Sequence, residues 1–345
     1  MASPASATRI SCVVARHNRH SMHTRLLHND PQGLATAAAM LRAGGLVAFG
    51  TETVYGLGAD AGNDTAVAAI YTAKGRPGHN PLISHFASAD AAFEQVEATP
   101  LARRLAERFW PGPLTMVLPR TARCGISAVA TAGLPTAAVR VPAGQTTQAL
   151  LAACGFPVVA PSANPSGRVS PSDAQHVLAG LDGRIDAVLD CGPCRVGVES
   201  TIIDLSRDVP VLLRPGGITL EALEAACGVM LALPAGSNDA RPTAPGQLSS
   251  HYAPGLPVRL DAHSVAPDEA LLAFGPPLPG SALVWNLSAT GDLHEAAARL
   301  FAGLRGGERE GHRRGRVGIA VQPVPGHGLG RAIRDRLIRA ACPRP

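Results

Sequence analysis

Residues 46–86 read LVAFGTETVYGLGADAGNDTAVAAIYTAKGRPGHNPLISHF, and this stretch decides the fold that the sequence predicts. The apolar run at 46–49 predicts a buried strand, and apolar residues three and four apart over 67–73 predict a helix. A second apolar run at 82–86 predicts another strand. Strand, helix and strand in this order are typical of an α/β fold, in which polar connections collect at one edge of a sheet.

Two connections in this stretch carry the polar side chains. The first is the turn at 50–55, which contains Thr53, and the second is the loop at 74–81, which is rich in Gly and Pro. Lys74 is the only lysine among the 31 basic residues of the chain. Lysine is a compact point charge and arginine a planar fork, so the two are not interchangeable at a phosphate site. We therefore interpret Lys74 and Arg76 as an anion-binding pair, suited to a triphosphate, rather than as a lysine retained by chance.

Polar residues also interrupt or follow later apolar runs. Arg140 is the one charge within the predicted strand at 136–141, where it serves as either an edge charge or a ligand clamp, and we favour the clamp. The loop at 161–167, PSANPSG, follows a predicted buried strand. Its small hydroxyl and amide groups suit phosphate or ribose. The same residue types form ordinary turns, so the residues alone leave both readings open.

The composition is that of a globular protein. Hydrophobic residues make up 46% and charged residues 17% of the 345 residues, which excludes general disorder. No stretch approaches the roughly 20 apolar residues that a membrane span needs. The net charge of +5 permits an anionic ligand or RNA. RNA readers interleave aromatic with basic residues, whereas aromatic content here is 3% and the basic excess is predicted to lie in tails, one of them at 305–316.

The termini and cysteines bear on the cellular compartment. Residues 1–29 contain no acidic residue and are predicted to be a disordered or non-native extension, and its first 21 residues resemble either a transit peptide or the result of a start site placed before Met22. Seven scattered cysteines do not indicate a disulfide framework, and a reducing, cytoplasmic location is expected. Cys191 and Cys194 have the spacing of a redox motif, but no helix is predicted after them, so we interpret them as part of a turn.

The second part of the chain predicts a separate, smaller domain. Residues 30–234 form the first predicted domain, and residues 235–256, which begin with a Gly-, Asn-, Asp- and Pro-rich segment, form a linker. Residues 257–345 alternate predicted strands and helices, including a helix at 293–304. The glycines at 326–330 occupy a Rossmann-like position but lack the acidic partner of a dinucleotide site, so a tight crossover is the better interpretation.

Several long motifs in a fixed order give the chain a specific resemblance. It resembles the YrdC-type family of threonylcarbamoyl-AMP synthases, in its longer two-domain form. Between residues 44 and 217 the resemblance rests on TETVYGLGA, AKGRPxxNPLI, FWPGPLT, AVRVP, APSANPSGRVSP, GVESTIIDL and LLRPGGIT, and it resumes at PGQLSSHYAP and GLGRAIRDRLIRAA. The resemblance implies a twisted mixed-sheet catalytic domain joined to a smaller Rossmann-like α/β domain at the C-terminus.

The resemblance also implies an activity. L-threonine, bicarbonate or CO2, and ATP would give L-threonylcarbamoyladenylate and pyrophosphate, and the product would pass to the tRNA threonylcarbamoyl transferase complex. ATP would be a substrate, with Mg2+ expected on the nucleotide and no metal held by the protein alone. No membrane partner is expected, and direct tRNA binding stays open. Phosphoryl chemistry of this kind depends on positioning and charge stabilisation, so no covalent nucleophile is required.

Site residues follow from the matching motif positions. Lys74 and Arg76 would be the catalytic pair on the nucleotide phosphates. The remaining nucleotide contacts implied by the resemblance are Asn80, Thr136, Ser162, Asn164, Ser170, Arg214, His251 and Tyr252. The threonine pocket implied by the resemblance consists of Thr53, His85, Arg140 and Ser200, with Arg140 pairing the amino-acid carboxylate. The linker departs from the usual family pattern at residues 247–250, so the linker contacts are the part of this assignment that the resemblance supports least.

Two other functions stay open at this point. A non-catalytic RNA-binding module would explain the basic balance, and it would bind tRNA without forming an adenylate. A carbamoyl-group transferase related to hydrogenase maturation shares the catalytic domain type. That class of protein would normally bring acylphosphatase-like and zinc-finger segments, which this sequence lacks.

Overall fold

The structure is a computed structural model that describes residues 23–233, 242–247 and 250–342. Over these residues the chain forms one ten-stranded mixed sheet and one four-stranded parallel sheet, each packed with helices. The predicted fold class, a mixed α/β domain followed by a smaller Rossmann-like domain, is confirmed. The predictions for residues 1–22 and for residues 235–241, the first part of the predicted linker, lie outside the described residues.

The large sheet belongs to the first domain. Its strands, in chain order, are β1 (Arg25–Leu27), β2 (Val47–Gly50), β3 (Tyr55–Asp60), β4 (Ile83–His85), β5 (Leu114–Pro119), β6 (Thr136–Arg140), β7 (Val158–Val159), β8 (Ala187–Leu189), β9 (Thr201–Asp204) and β10 (Val211–Arg214). The order of these strands across the sheet is β1-β8-β2-β3-β7-β4-β6-β5-β9-β10, with parallel and antiparallel neighbours mixed.

Helices cover this sheet and form a core with it. Most begin at a side-chain cap; Asn63, for example, accepts hydrogen bonds from the first turn of α2. The helices described in this domain are α1 (Pro31–Arg42), α2 (Asp64–Lys74), α3 (Ala89–Phe93), α4 (Pro100–Phe109), α5 (Gln145–Cys154), α6 (Ala174–Leu181) and α7 (Leu220–Cys227). Across the described ranges, no helix has both the length and the apolarity to span a bilayer.

The opening stretch contains one strand more than the sequence predicted. Strand β2 turns back into β3, which pairs antiparallel with it from Val47 opposite Gly58 to Gly50 opposite Tyr55. The sequence YGLGAD gave no strand prediction because glycine weakens the strand signal, yet all but the last of its residues are buried. The hairpin narrows the polar connection to residues 51–54 and fixes it at the end of β2.

The prediction for residues 1–29 is wrong for its last part. Arg25–Leu27 form the edge strand β1, which pairs in parallel with β8. Thr24 is buried, and its hydroxyl donates to the carbonyl oxygen of Ile185 at 2.9 Å. Asp30 then caps α1 by accepting a hydrogen bond from the backbone N–H of Gly33. A three-residue strand that gains its stability from a neighbour is too short to show a pattern of its own in the sequence.

The C-terminal domain has the predicted α/β organisation. Its sheet has the order β11-β14-β12-β13, and every neighbouring pair is parallel. Its elements are β11 (Val258–Arg259), β12 (Glu269–Ala273), β13 (Val284–Asn286), α8 (Leu293–Arg313), β14 (Gly318–Val321) and α9 (Leu329–Ala341). Gly328 caps α9 after the crossover from β14, as the interpretation of the glycines at 326–330 expected.

Helix α8 is longer than predicted and corrects the assignment of the basic tail. Its four glycines suggested an end near residue 304, but the helix continues to Arg313. Gly306 is required by packing, since a Cβ there would lie 2.4 Å from the Trp285 ring. The predicted tail at 305–316 is therefore mostly helix. Arg305 donates to the carbonyl oxygens of Val169 and Ser170 in the first domain.

The two domains share apolar contacts. Val54, Val169 and Val198 from the first domain belong to the same buried cluster as Leu300 and Phe301 of α8. The C-terminal domain therefore packs directly on the loops that follow and precede the strands of the large sheet. These loops carry five of the fourteen candidate site residues: Thr53, Ser162, Asn164, Ser170 and Ser200.

Candidate functional site

One cavity is lined by residues of the first domain and of the linker. It contains about 490 Å³ of space, part of it open to solvent. Nine of the fourteen predicted site residues line it: Thr53, Arg76, His85, Arg140, Ser162, Ser200, Arg214, His251 and Tyr252. They come from chain segments that are far apart in sequence, so their convergence is a property of the fold.

Lys74 lies beneath the wall of this cavity. It is the last residue of α2, is 3% exposed, and its Nζ donates to the carbonyl oxygens of Ser162 and Asn164 at 2.5 Å each. Burial holds the pKa of Lys74 well below its usual range, and the neighbouring Arg76 adds to this effect. A bound anion would favour the charged form of this lysine, so the site is ready to receive negative charge.

Arg76 and two asparagines flank Lys74. The Arg76 guanidinium donates to the carbonyl oxygens of Asn80 at 3.2 Å and Pro81 at 3.0 Å. Burial lowers the pKa of Arg76 to about 10, so the side chain stays charged at neutral pH. The side-chain oxygens of Asn80 and Asn164 are buried and accept no hydrogen bond from any described residue. Buried polar atoms normally have partners, which makes these oxygens candidates for ligand contacts.

Arg140, at the end of β6, also lines the cavity. Its Nη2 lies 2.6 Å from a carboxylate oxygen of Glu52 and 3.1 Å from the Thr53 hydroxyl, and its Nε donates to the carbonyl oxygen of Gly112. Both side chains of the ion pair are 4% exposed. Neither Glu52 oxygen makes a hydrogen bond of good geometry within the described part of the chain. Arg140 is thus held in place while it keeps capacity for a second carboxylate.

Ser200 and Arg214 form a further part of the cavity wall. Arg214 donates from Nε and Nη2 to the carbonyl oxygen of Ser200 at 3.1 and 2.9 Å, and from Nη2 to the Ser200 hydroxyl at 3.1 Å. Thr115 on β5 contacts the same hydroxyl at 2.8 Å. Gly246 of the linker lies against Arg214 at a positive φ of 84°, and a Cβ there would lie 2.7 Å from Arg214 Cδ.

Comparisons with known proteins show the family to which the chain belongs. The family model described as "Telomere recombination", which joins Sua5, YciO and YrdC, matches residues 39–216, and that described as "Threonylcarbamoyl-AMP synthase, C-terminal domain" matches residues 218–342. A threonylcarbamoyl-AMP synthase of Pyrococcus abyssi is 42% identical over 325 residues, covering 88% of this chain and 93% of that protein. The chain belongs to the Sua5 family of threonylcarbamoyl-AMP synthases.

Further relatives show how far the likeness to this family extends. A threonylcarbamoyl-AMP synthase of Bacillus subtilis is 48% identical over 234 residues, which cover 67% of each protein. The crystal structure of Pyrococcus abyssi Sua5 complexed with L-threonine superimposes with a TM-score of 0.83 at 37% identity, covering 92% of this chain and 97% of that one. Both domains of the Sua5 family are therefore present here, in the same arrangement.

The remaining predicted residues do not line the cavity. Lys74, Asn80 and Asn164 lie directly behind its wall, as described above. Ser170 contacts the cavity wall only through Glu199, since its hydroxyl donates to a carboxylate oxygen of Glu199 at 2.6 Å. Thr136 opens β6, four residues before Arg140 and about 13 Å from it along the strand. A nucleotide contact at Thr136 stays a prediction.

Two carboxylates of this site were missed by sequence reasoning. Glu52 pairs with Arg140, and Glu199 lines the cavity while it bonds Ser170 and Arg336. Both lie in motifs that carry the family resemblance, and that was the only available signal. Among the described residues, no group of three or more His, Cys, Asp or Glu could hold a metal ion.

Cys191 and Cys194 lie in a loop beside the turn at 51–54. No helix follows them, which agrees with the interpretation of a turn rather than a redox motif. Burial raises the pKa of Cys191 to about 11 and raises that of Cys194 further. The six cysteines of the described ranges are free thiols. The reducing compartment that the cysteine pattern indicates stays a prediction.

The two cavity histidines are neutral at physiological pH. Burial, assisted by the Arg140 guanidinium, lowers the pKa of His85 to about 3. Burial also lowers the pKa of His251 to about 3; Glu199 opposes this effect and Arg76 adds to it. His251 Nδ1 is buried and has no hydrogen-bond partner in the part of the chain that the structure describes. A neutral imidazole can donate to or accept from a bound ligand without adding charge.

These pKa values predict that folding stability falls in mild acid. Because the pKa of an unfolded histidine is about 6.5, the unfolded chain binds more protons than the folded one from there down to the folded pKa of about 3. Lowering the pH from 7 to 5 should therefore cost about 2 kcal/mol per histidine. Urea denaturation of the wild type and of His251→Gln at both pH values measures this loss, with exposed His263→Gln as the control. Equal losses in all three proteins would contradict the prediction.

Proposed function

We propose that this cavity joins L-threonine, CO2 derived from bicarbonate, and ATP into L-threonylcarbamoyladenylate, with release of pyrophosphate. The observation that carries the proposal is the placement of several anion-binding groups at one cavity. Arg76, Arg214, Arg140 and Thr53 line it, and Lys74 lies directly behind its wall. Relatives named threonylcarbamoyl-AMP synthase, and one solved with L-threonine, support this assignment.

The nucleotide would occupy the side with the higher positive charge. Lys74 and Arg76 would contact its phosphates, with the free Asn80 and Asn164 oxygens and the Ser162 hydroxyl available for ribose or phosphate-bound groups. Fixed cations in a buried site stabilise charge that develops on phosphoryl oxygens, and they need no reorganisation during the reaction. Arg214, held by Ser200, would complete this side.

L-threonine would occupy the side of Arg140. Its carboxylate would pair with the guanidinium through the N–H groups that remain after the contacts to Glu52, Thr53 and Gly112. Ser200 and Thr53 offer hydroxyl groups for the threonine amine and hydroxyl, and neutral His85 adds a donor or acceptor without repelling the ammonium form. The amine would thereby be directed toward the nucleotide across the centre of the cavity.

The reaction then requires two bond-forming steps. The threonine nitrogen first loses a proton from its ammonium form to water, and then forms a bond to the carbon of CO2 and releases a second proton to water, which gives a carbamate. A carbamate oxygen next forms a bond to the α-phosphorus of ATP while the bond from that phosphorus to the bridging oxygen of pyrophosphate breaks. The protein contributes positioning and charge stabilisation to both steps, which are large terms when reactants are held in contact. His251 and Tyr252 on the linker would exclude water from the carbamate.

Mg2+ does not have a site built by the described residues. The one carboxylate that lines the cavity, Glu199, is already bonded to Ser170 and Arg336. Hard cations prefer several oxygen ligands, and these are absent from the described cavity wall. Any Mg2+ would therefore be held chiefly by the phosphates of the nucleotide.

A non-catalytic RNA-binding module fits the site less well. The cationic side chains that converge here are buried: Lys74, Arg140 and Arg214 are 3%, 4% and 5% exposed. RNA backbone contacts need cations that reach an accessible surface, and single-stranded bases need exposed aromatic platforms. Enclosed cations suit a small anionic substrate. The product would pass to the tRNA threonylcarbamoyl transferase complex, which the proposed reaction itself does not require.

Pyrophosphate release by the purified protein tests the proposed function. We expect release from ATP to require L-threonine and bicarbonate together, with little when either is omitted. L-valine, which has a methyl group in place of the threonine hydroxyl, is the matched substrate control. Release that does not depend on threonine, or tight tRNA binding in a filter assay without any release, would refute the assignment.

A further inference from the structure

Arg336 of α9 links the C-terminal domain to the cavity of the first domain. Its side chain is 0% exposed, the largest among the fully buried side chains of the described residues. Nε donates to a carboxylate oxygen of Glu199 at 2.9 Å, and Nη1 donates to the carbonyl oxygen of Pro215 at 2.7 Å and to Asp335 at 2.8 Å. One guanidinium therefore contacts both Glu199 and the residue that follows Arg214.

Glu199 connects this arginine to the cavity wall. One of its carboxylate oxygens accepts from Arg336 and the other from the Ser170 hydroxyl at 2.6 Å. Glu199 lines the cavity and directly precedes Ser200, whose carbonyl and hydroxyl oxygens hold Arg214. A shift of the Glu199 backbone would therefore displace Ser200 and Arg214 together.

Tyr252 of the linker is the second cavity-lining residue in contact with Arg336. The guanidinium carbon of Arg336 lies 5.4 Å from the centre of the Tyr252 ring, within the range of a cation–π contact. The same ring stacks on Phe301 of α8, with 5.5 Å between the ring centres and an angle of 24° between the ring planes. Tyr252 has a positive φ of 61°, which a non-glycine residue adopts only when its surroundings hold it. The C-terminal domain thus holds the linker residue at the cavity.

The charges in this network depend on one another. Burial alone would raise the pKa of Glu199, but the Arg336 and Arg214 guanidinium groups outweigh it and hold that pKa below the usual range. Glu199 is therefore a buried anion with two cations near it. Without Arg336, its remaining cationic neighbour is Arg214, and stronger pairing with Glu199 would draw Arg214 away from Ser200.

We propose that Arg336 is a positioning residue for the reaction in the first domain, where it holds Glu199, Pro215 and Tyr252 so that Ser200 and Arg214 face the substrates. The proposal rests on the proposed function and extends it, because it gives the C-terminal domain a direct part in forming the substrate site. A buried ion pair is often no more stabilising than apolar residues of similar size. The ion pair between Arg336 and Glu199 is therefore better explained by its positioning of neighbouring residues than by a contribution to the free energy of unfolding.

Four variants of the full chain test this role. Arg336→Met removes the charge, and Arg336→Lys keeps one charge but cannot contact Glu199 and Pro215 as a planar fork. Glu199→Gln combined with Arg336→Met removes both charges of the pair. Arg334→Met is the matched control, since Arg334 is on the same helix but bonds Val324 and Asp261 within the C-terminal domain.

We expect Arg336→Met to lower kcat/KM for ATP and for threonine by about 100-fold, chiefly through KM, while circular dichroism and thermal unfolding show a folded chain. A purely structural role would reduce the amount of active protein and leave KM unchanged. Arg334→Met should retain the wild-type KM values. The double variant should recover at least about tenfold of the loss, because it leaves no unpaired carboxylate in the interior.

Each outcome decides between the two proposals. A folded Arg336→Met protein with wild-type KM values, or a double variant no better than Arg336→Met, would overturn the positioning role alone. If Arg336→Met does not fold, Arg336→Lys decides: a KM raised about tenfold supports the role and an unchanged KM overturns it. A wild type without threonine-dependent pyrophosphate release would overturn the proposed function and this inference with it.

Discussion

Replacement of Lys74 with alanine is expected to reduce threonine-dependent pyrophosphate release by roughly a thousandfold. Lys74 Nζ is the cation that lies between the carbonyl oxygens of Ser162 and Asn164, beneath the wall where the phosphates would bind. The variant would lose the positive charge and would also release the loop at 161–167 from the end of α2. Steady-state pyrophosphate release and ATP binding by calorimetry measure the two effects separately.

Two further variants identify the cause of that loss. Lys74→Arg keeps the charge, but its larger planar group does not fit between two carbonyl oxygens, so it should also be strongly impaired. Arg104→Ala removes a charge from the exposed face of α4 in the same domain and should behave as the wild type. Activity of Lys74→Ala close to that of Arg104→Ala would show that this lysine has no part in catalysis.

Replacement of Arg140 with lysine is expected to lower kcat/KM for threonine by about 100-fold, equivalent to about 2.7 kcal/mol. The guanidinium contacts Glu52, Thr53 and Gly112 at once, so it is fixed before the substrate arrives. A lysine would keep the charge, but a single ammonium group could not contact Glu52, Gly112 and the substrate carboxylate at once as the planar guanidinium does. Because the nucleotide would lie on the other side of the cavity, KM for ATP should change much less.

The control for Arg140 is Arg120→Lys. Arg120 is a partly buried arginine that donates to the carbonyl oxygen of Ile126 and does not line the cavity. This variant should retain the wild-type KM for threonine. Equal increases in KM for threonine and ATP in Arg140→Lys would argue against a separate amino-acid pocket at Arg140, and no increase in either would exclude the assigned carboxylate contact.

The sequence could predict which residues matter because the relevant signals are local. A single lysine beside an arginine in a Gly/Pro loop, and an arginine in an apolar strand, are visible without knowledge of the fold. Arg76 and Arg140 line the same cavity in the structure, and Lys74 lies directly behind its wall. The two domains could also be predicted, because each domain is long enough to show its own series of predicted strands and helices.

Other features could not be predicted because their causes lie far away in the sequence. Strand β1 exists through pairing with β8, and α8 continues past its glycines because Gly306 packs against Trp285. The contact between Glu199 and Arg336 spans 137 residues. No local pattern marks either residue as the partner of the other. Contacts of this kind follow from packing of the two domains, which a reading of local patterns does not resolve.

Incorporation of isotope from 13C-bicarbonate tests the central claim most directly. The purified protein would be supplied with ATP, L-threonine and labelled bicarbonate, and the nucleotide products would be analysed by mass spectrometry. A buried site that holds threonine and a triphosphate together predicts an adenylate that contains threonine and one labelled carbon. Formation of AMP or ADP alone, or no labelled threonine-containing adenylate under any combination of the three substrates, would contradict it.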